Sequence, residues 1–271
     1  KNDLGWSNYA NDHEDGNGQY EQNFAYADAL TTADRVITLR YLLSVLAAER
    51  GMIATFMPKP FANRTGSGLH LHLSLRDAAG ETAIFPAHMT PEAEDKVGLG
   101  LSETAYSFVA GILEHAAALQ AVIAPTVNSY KRTGAVASSA SGATWGPALP
   151  TYGGNDRTHY VRIPDTQRIE LRGGDGSANP YLAIAAAVGA GLDGVERGLE
   201  LGPIGTGPGT PFPPTLVHAV DAFEADKVVT STLDVAGPGV AEYFAKLKKD
   251  EFYAYHAAVA QWEIDRYLTA F

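Results

Sequence analysis

The most regular alternation in the chain runs from residue 69 to residue 75, where Leu69, Leu71, Leu73 and Leu75 alternate with His70, His72 and Ser74. A period of two predicts a strand with one apolar face on a core and one polar face turned outward. Same-face side chains lie ~7 Å apart at strand rise, so the two imidazoles suit adjacent subsites better than one ion. A solvated His-x-His surface is the plain alternative. Thr65-Gly66-Ser67-Gly68 precedes the strand, a turn whose glycines permit close backbone approach or positive φ. A second alternation, Arg168-Ile169-Glu170-Leu171-Arg172, puts three charges on one strand face. That is costly unless the charges face a wet, ligand-filled cleft or pair with one another. Arg157 and Arg162 add two guanidiniums just upstream. Arginine's planar fork matches phosphate and carboxylate oxygens, so the region predicts an anion site.

Helical periodicity appears elsewhere. Thr31-Thr32-Ala33-Asp34 reads as a helix start, Leu39, Leu42, Leu43 and Leu46 as its apolar stripe, and Gly51 as its end. Residues 53–57 read as a buried strand, and residues 77–80 as a turn. Pro91 opens a helical region, 92–123, in two segments whose core face carries Tyr106, Val109, Ile112 and Leu113; Pro125 stops it. Residues 133–155 are rich in Gly, Ser, Ala and Thr without one acidic residue, the pattern of a lid or binding loop. Pro180 starts an Ala-rich helix running to about Asp193. Residues 202–214 form a Pro/Gly connector and residues 215–271 a helical tail, where Tyr243, Phe244, Phe252, Tyr255, Trp262 and Tyr267 read as packing anchors. Near the start, Glu14 and Glu21 flank Gly16-Asn17-Gly18. That turn can fold back to aim both carboxylates at one site, although spacing alone favours an acidic surface loop.

Composition narrows the function. The 271 residues include 45% hydrophobic and 19% charged positions, ordinary for a globular chain. A net charge of −11 disfavours nucleic acid and anionic membranes as partners. No cysteine is present, which removes disulfides, thiolate metal sites and a cysteine nucleophile. The longest apolar run, 180–192, is too short and too rich in Ala and Gly to span a bilayer, and no signal peptide is visible, so the cytoplasm is expected. The chain begins at Lys1 and reads as a processed or truncated piece. Phosphate loops, dinucleotide fingerprints and nucleophile elbows are absent, so a phosphate site here would rest on arginines and metal.

Four ordered blocks resemble the catalytic domain of the glutamine synthetase family. They are His13-Glu14 with Gly18-Gln19-Tyr20-Glu21, Lys59-Pro60 through His70 and Ser74, Asn128-Ser129-Tyr130-Lys131-Arg132, and Arg168-Ile169-Glu170-Leu171-Arg172 with Asn179-Pro180-Tyr181-Leu182. The resemblance implies an α+β fold shared with guanido kinases, a curved and mainly antiparallel sheet with flanking helices over residues 1–271. The family's N-terminal β-grasp domain is then absent, as is the first catalytic strand with one further glutamate for each metal. The 271-residue chain alone would therefore be inactive.

By the same resemblance, Glu14 and Glu21 would bind one Mg²⁺ or Mn²⁺, and His70 with Glu170 a second. His72, Ser74, Arg157, Arg162 and Arg168 would contact ATP, and Gly66, His70, Arg132, Arg157 and Arg172 would hold glutamate. Arg157 and Glu14 would act in catalysis. The implied reaction phosphorylates the glutamate γ-carboxylate and then joins it to ammonia or a small amine, in a homo-oligomer of stacked rings. The lid normally carries a glutamate; without one in 133–155, proton removal falls to Glu14, Asp156 or a neighbouring subunit. Residues 9–15 and 141–147 resemble the branch labelled type III, which shades into γ-glutamylmethylamide synthetases. A guanidino kinase and a catalytically silent, oligomer-building or regulatory homologue are the competing readings.

Overall fold

The two alternating stretches pair with each other. In the computed structural model, which describes residues 4–6, 8–87, 95–133 and 146–271, a hairpin of β1 (Asn8–His13) and β2 (Tyr20–Phe24) stands apart from a four-stranded sheet. That sheet is built from β3 (Leu71–Leu73), β4 (Tyr152–Gly153), β5 (Val161–Asp165) and β6 (Arg168–Leu171) in the order β3-β6-β5-β4. All neighbours are antiparallel except β4 and β5. The register sets Leu71 opposite Leu171 and His72 opposite Glu170, so apolar meets apolar and imidazole meets carboxylate.

The alternation holds over 69–75, with half-buried leucines on one face and His70, His72 and Ser74 on the other. The regular ladder is shorter than expected, because Gly68 and Leu69 pair instead with Asp175 and Gly174. The strand expected at 53–57 does not form. Among the described residues the only strand beside β3 is β6, which leaves 53–57 without a ladder and Ile53 93% exposed. Residues 8–24, favoured above as a loop, are a hairpin whose turn closes through Glu14 N–H to Gln19 O (3.0 Å) and Gln19 N–H to Gly16 O (2.9 Å).

Helix α1 (Ala29–Ala48) starts two residues before Thr31, because Asp28 is the cap and accepts the Thr31 N–H. Gly51 closes its C-terminal end at φ +68. Its leucine stripe is half-buried, with Leu46 exposed. The region expected to start at Pro91 resolves into α2 (Glu103–Glu114) and α3 (Ala116–Ile123), bent by 75° at His115. Ser102 caps α2, and the preceding loop folds around Asp95, which accepts N–H groups from Val97, Gly98 and Gly100 and the Tyr106 hydroxyl. Pro91 to Glu94 and residues 134–145, most of the expected lid, lie outside the described residues.

Asn179 and Pro180 open α4 (Pro180–Arg197), which continues past Asp193 until Gly198 at φ +60 ends it. The tail forms α5 (Leu216–Ala225), α6 (Lys227–Asp234), α7 (Val240–Ala257) and α8 (Gln261–Tyr267). Of its six expected aromatic anchors only Phe244 and Phe252 pack on the core; Tyr243, Tyr255, Trp262 and Tyr267 are exposed. Tyr255 carries the Lys131 ammonium over its ring, 5.2 Å from the centroid.

Small residues let the central helices approach. A Cβ added to Gly111 of α2 would lie 2.2 Å from the Ala190 carbonyl, and one at Gly194 of α4 would lie 2.1 Å from the Ser107 carbonyl. The Ala/Gly richness of α4 is thus a packing requirement. Phe108, Ile112, Leu119 and Ile123 complete a core that continues into Val161, Ile169 and Leu171 on the back of the sheet. Among the described residues no single helix is long and apolar enough to cross a membrane; α2 and α3 qualify only as a bent pair, and both are buried.

At that bend, His115 ties three helices together. Its Nδ1 lies 2.6 Å from Asp226 Oδ2 and its Nε2 3.0 Å from Asp193 Oδ2, while Asp193 also accepts from Arg197 (2.8 Å), which faces Glu114. Burial pushes the imidazole pKa down, but Asp226 and Asp193 outweigh it and leave it above 6.5. A raised native pKa gives stability that is full below the unfolded value and fades as pH rises through the native one. Unfolding stability of the protein should therefore decline above pH ~6.5. His115→Gln should cost ~1–2 kcal/mol near neutrality, because it removes the cation shared by two half-buried carboxylates, and should flatten that decline. Denaturant titrations across pH check both.

Candidate active site

The front of the sheet carries a compensated charge cluster. Glu170, 3% exposed, lies at its centre. Arg172 Nη1 donates to Oε1 at 2.7 Å and Arg162 Nη1 to Oε2 at 2.6 Å. His70 Nδ1 lies 3.2 Å, and His72 Nε2 3.8 Å, from Oε1. Both imidazoles thus approach one oxygen, although their alternation suggested separate subsites: each reaches it with a different ring nitrogen. Burial pushes the Glu170 pKa up, but His70, Arg172 and Arg162 outweigh it and hold the carboxyl well below the usual range. Burial lowers the pKa of both imidazoles, and nearby arginines push the same way. Neutral imidazoles therefore stand beside an ionised carboxylate.

The β1–β2 hairpin supplies a second acidic pair. Glu14 and Glu21 are hydrogen-bonded to each other, and this bond, then burial and mutual repulsion, raise the Glu14 pKa to about 7. The same bond lowers that of Glu21, which also accepts from Asn23 at 2.9 Å. Arg157 is exposed and its charge acts on both carboxylates; its carbonyl accepts from Arg172 Nε (3.1 Å). Glu21 also interacts with His70, which brings the two acidic groups together. Gln19 straps the hairpin to the glycine turn, donating to Gly66 O (3.1 Å) and Ser67 Oγ (3.3 Å).

That turn is shaped by what lies beneath it. Neither Gly66 nor Gly68 has a positive φ; what both require is space. A Cβ on Gly66 would lie 2.7 Å from Pro58 O and 2.8 Å from Arg132 Cγ, and one on Gly68 2.7 Å from Arg132 Nη2 and His70 Nε2. Arg132 is buried, its Nη1 donating to Gly173 O (3.2 Å) and its Nη2 to Arg172 O (3.3 Å). Asn128 exchanges hydrogen bonds with the Lys59 backbone, and Lys59 Nζ donates to Arg64 O, which joins two of the sequence blocks.

Of the residues singled out from the sequence, the structure gathers Glu14, Glu21, His70, His72, Glu170, Arg157, Arg162 and Arg172 around one charge field, with Gly66 and Arg132 at its floor. Arg168 is more peripheral, pairing with Asp165 at 3.2 Å while its charge reaches His72. Ser74 is exposed just beyond β3 on the His70 face. Asp156 accepts from the Thr158 N–H and hydroxyl, which lower its pKa and make it a weak base. Sequence reasoning missed Asn155, whose Oδ1 accepts from Arg162 Nε (2.9 Å) and Nη2 (2.5 Å), and the Gln19 strap. Only the Gln-x-Glu spacing hinted at the latter.

The donor set fits divalent cations that prefer oxygen and imidazole ligands. Two carboxylates held against each other at Glu14 and Glu21 require a proton or a cation between them. His70 and Glu170 offer a neutral nitrogen and a carboxylate side by side. These are two pairs; among the described residues no group of three His, Asp or Glu side chains could hold a metal. A groove of about 440 Å³ lined by Lys96, Tyr152, Leu201 and Ile204 includes none of these residues.

Residues 2–267 match the family model for the glutamine synthetase catalytic domain. The chain belongs to that family. It is 42% identical to the glutamate–methylamine ligase of Methyloversatilis universalis, over 99% of this chain and 61% of the relative. It is 40% identical to a glutamine synthetase of Rhizobium leguminosarum bv. phaseoli, over 97% and 60%. Two solved structures are similar: a GmaS/ADP complex (TM-score 0.87, 46% identity, 98% of this chain and 61% of that one), and apo GmaS without ligand (TM-score 0.86, 44% identity, 99% and 60%). The chain thus spans about 60% of the length of the relatives it matches.

The Gly66 cradle gives a direct test. Gly66→Ala must displace a main-chain carbonyl and the buried Arg132 stem, and should cost ~1–3 kcal/mol of stability. Thermal and urea unfolding check this, and no measurable loss would show that the turn has slack.

Proposed function

We propose that the protein joins an amine to the γ-carboxylate of glutamate at the expense of ATP, through γ-glutamyl phosphate. The observation that carries this reading is the meeting of the Glu14–Glu21 pair and the Arg162–Glu170–Arg172 cluster over the Gly66 turn. In the first step a γ-carboxylate oxygen of glutamate attacks the terminal phosphorus of ATP and ADP leaves. In the second the amine nitrogen attacks the acyl carbon, loses a proton, and inorganic phosphate leaves with the C–O bond electrons.

Glu14 and Glu21 would hold one divalent cation, Mg²⁺ or Mn²⁺, and His70 with Glu170 another. Such ions neutralise phosphate charge during transfer. Arg157, facing the acidic pair, stabilises the transferred phosphoryl group. His72, Ser74, Arg162 and Arg168 contact the nucleotide, with Asn155 fixing the fork of Arg162. Arg132 and Arg172, with the Gly66 backbone and His70, orient glutamate. The base that takes the amine proton is Glu14 or a group from another subunit, since Asp156 is a weak one. The exposed aromatic face of α7 and α8 supports association into a homo-oligomer.

Ammonia is the first reading for the amine. Methylamine is the second, favoured by the similarity to the Methyloversatilis ligase and to both GmaS structures. Phosphate release by the complete natural protein, given ATP, Mg²⁺ and glutamate with ammonia, methylamine or ethylamine, decides between them. Amine-independent ATP cleavage, or none, would overturn the proposal. Glu14→Gln and Glu21→Gln should each raise the Mg²⁺ requirement about 10–100-fold. A Mg²⁺ titration of activity checks it, and an unchanged requirement would remove the hairpin from the metal site.

A further inference from the structure

The hairpin that carries Glu14 and Glu21 stands apart from the four-stranded sheet, so no strand ladder to that sheet fixes where its carboxylates point. The Gln19 side chain crosses the gap. It is half-buried, one residue before β2, and its Oε1 accepts the Gly16 N–H at 3.0 Å inside the hairpin's own turn. With the amide oxygen held there, the amide nitrogen faces the glycine turn. Nε2 donates to Gly66 O at 3.1 Å and to Ser67 Oγ at 3.3 Å.

Both ends of this strap are anchored. On the far side, the Ser67 N–H donates to Pro58 O (2.8 Å), Gly66 has no room for a Cβ above Pro58 O and the Arg132 stem, and Gly68 pairs with Asp175. On the near side, the Glu14 N–H donates to Gln19 O at 3.0 Å and the Gln19 N–H to Gly16 O at 2.9 Å, while Glu21 follows two residues on. One amide thus joins the backbone of the acidic pair to a turn that is itself packed in place. Each such hydrogen bond contributes ~1 kcal/mol, enough to hold a hairpin in one position over a turn.

We propose that Gln19 is a positioning residue: its amide sets the distance between the acidic pair and the Gly66 turn, so that a divalent cation on the hairpin and glutamate on the turn bind in register. This rests on the reading of the hairpin as a metal site and of the turn as the glutamate cradle. In the complete natural protein, Gln19→Ala should weaken Mn²⁺ binding, followed by the electron paramagnetic resonance of free Mn²⁺, about fivefold. It should also raise the KM for glutamate about tenfold at saturating Mg²⁺, while the KM for ATP changes less than about twofold. A merely structural role would lower the Tm and the yield of folded protein and leave the Mn²⁺ affinity and the glutamate KM as they were.

Glu21→Gln and Arg132→Lys are measured alongside. If these weaken Mn²⁺ and glutamate binding respectively, but Gln19→Ala changes neither constant or only one of them, the positioning role is wrong and the reading of the site stands. If Glu21→Gln leaves Mn²⁺ binding unchanged, or Arg132→Lys the glutamate KM, that reading fails and the proposal with it. Should Gln19→Ala not fold, Gln19→Met decides, since it keeps the length and bulk of the side chain without its donors. Unchanged Mn²⁺ affinity and glutamate KM in that variant overturn the proposal.

Discussion

The carboxylate of Glu170 is the constraint on which the front of the molecule depends. It sits out of water on β6, where an uncompensated charge would be worth several kcal/mol against folding. Compensation comes from three directions: Arg162 on β5, Arg172 just past β6, and the imidazoles on and beside β3. Each partner is fixed in turn. Asn155 grips Arg162, and the Arg157 carbonyl grips Arg172. The same contacts that stabilise the sheet therefore also fix the positions of the charges that the proposed reaction would use.

The helical layer behind the sheet is built on a different principle. Glycines on α2 and α4 let two backbones meet almost in contact, and the 75° bend at His115 redirects the chain so that α3 reaches the sheet. Packing of this kind places residues 123–132 beneath the glycine turn. The floor of the site, Arg132, is thus delivered by the helices, while its roof comes from β3 and the hairpin. Close packing on both sides leaves little room for a Cβ at Gly66 or Gly68.

Much of this was legible in the sequence, for physical reasons that differ by residue. The period-two runs at 69–75 and 168–172 announced strands with one polar or charged face, and the cost of three charges on one face announced that they would pair or line a cleft. Pro180 marked the α4 start, because its fixed φ and missing N–H suit the first helical position. Residues 53–57 misled because an apolar run signals burial only when a neighbour covers it, and Ile53 has none. Four of the six tail aromatics misled likewise. The 8–24 hairpin was hidden because its acidic pair looks, from spacing alone, like a solvated loop. Asn155 and His115 left no trace in periodicity: their partners lie 7, and 78 and 111, positions away, and only the folded chain makes the pairing visible.

The central claim, that this site activates the glutamate γ-carboxylate by phosphorylation, has a direct isotopic test. The complete natural protein is supplied with ATP, Mg²⁺, an accepted amine and glutamate carrying ¹⁸O in its γ-carboxylate, and the released phosphate is analysed by mass spectrometry. An acyl phosphate route requires one ¹⁸O atom to move from glutamate to phosphate in each turnover. Phosphate free of ¹⁸O, alongside amine-dependent ATP cleavage, would contradict it.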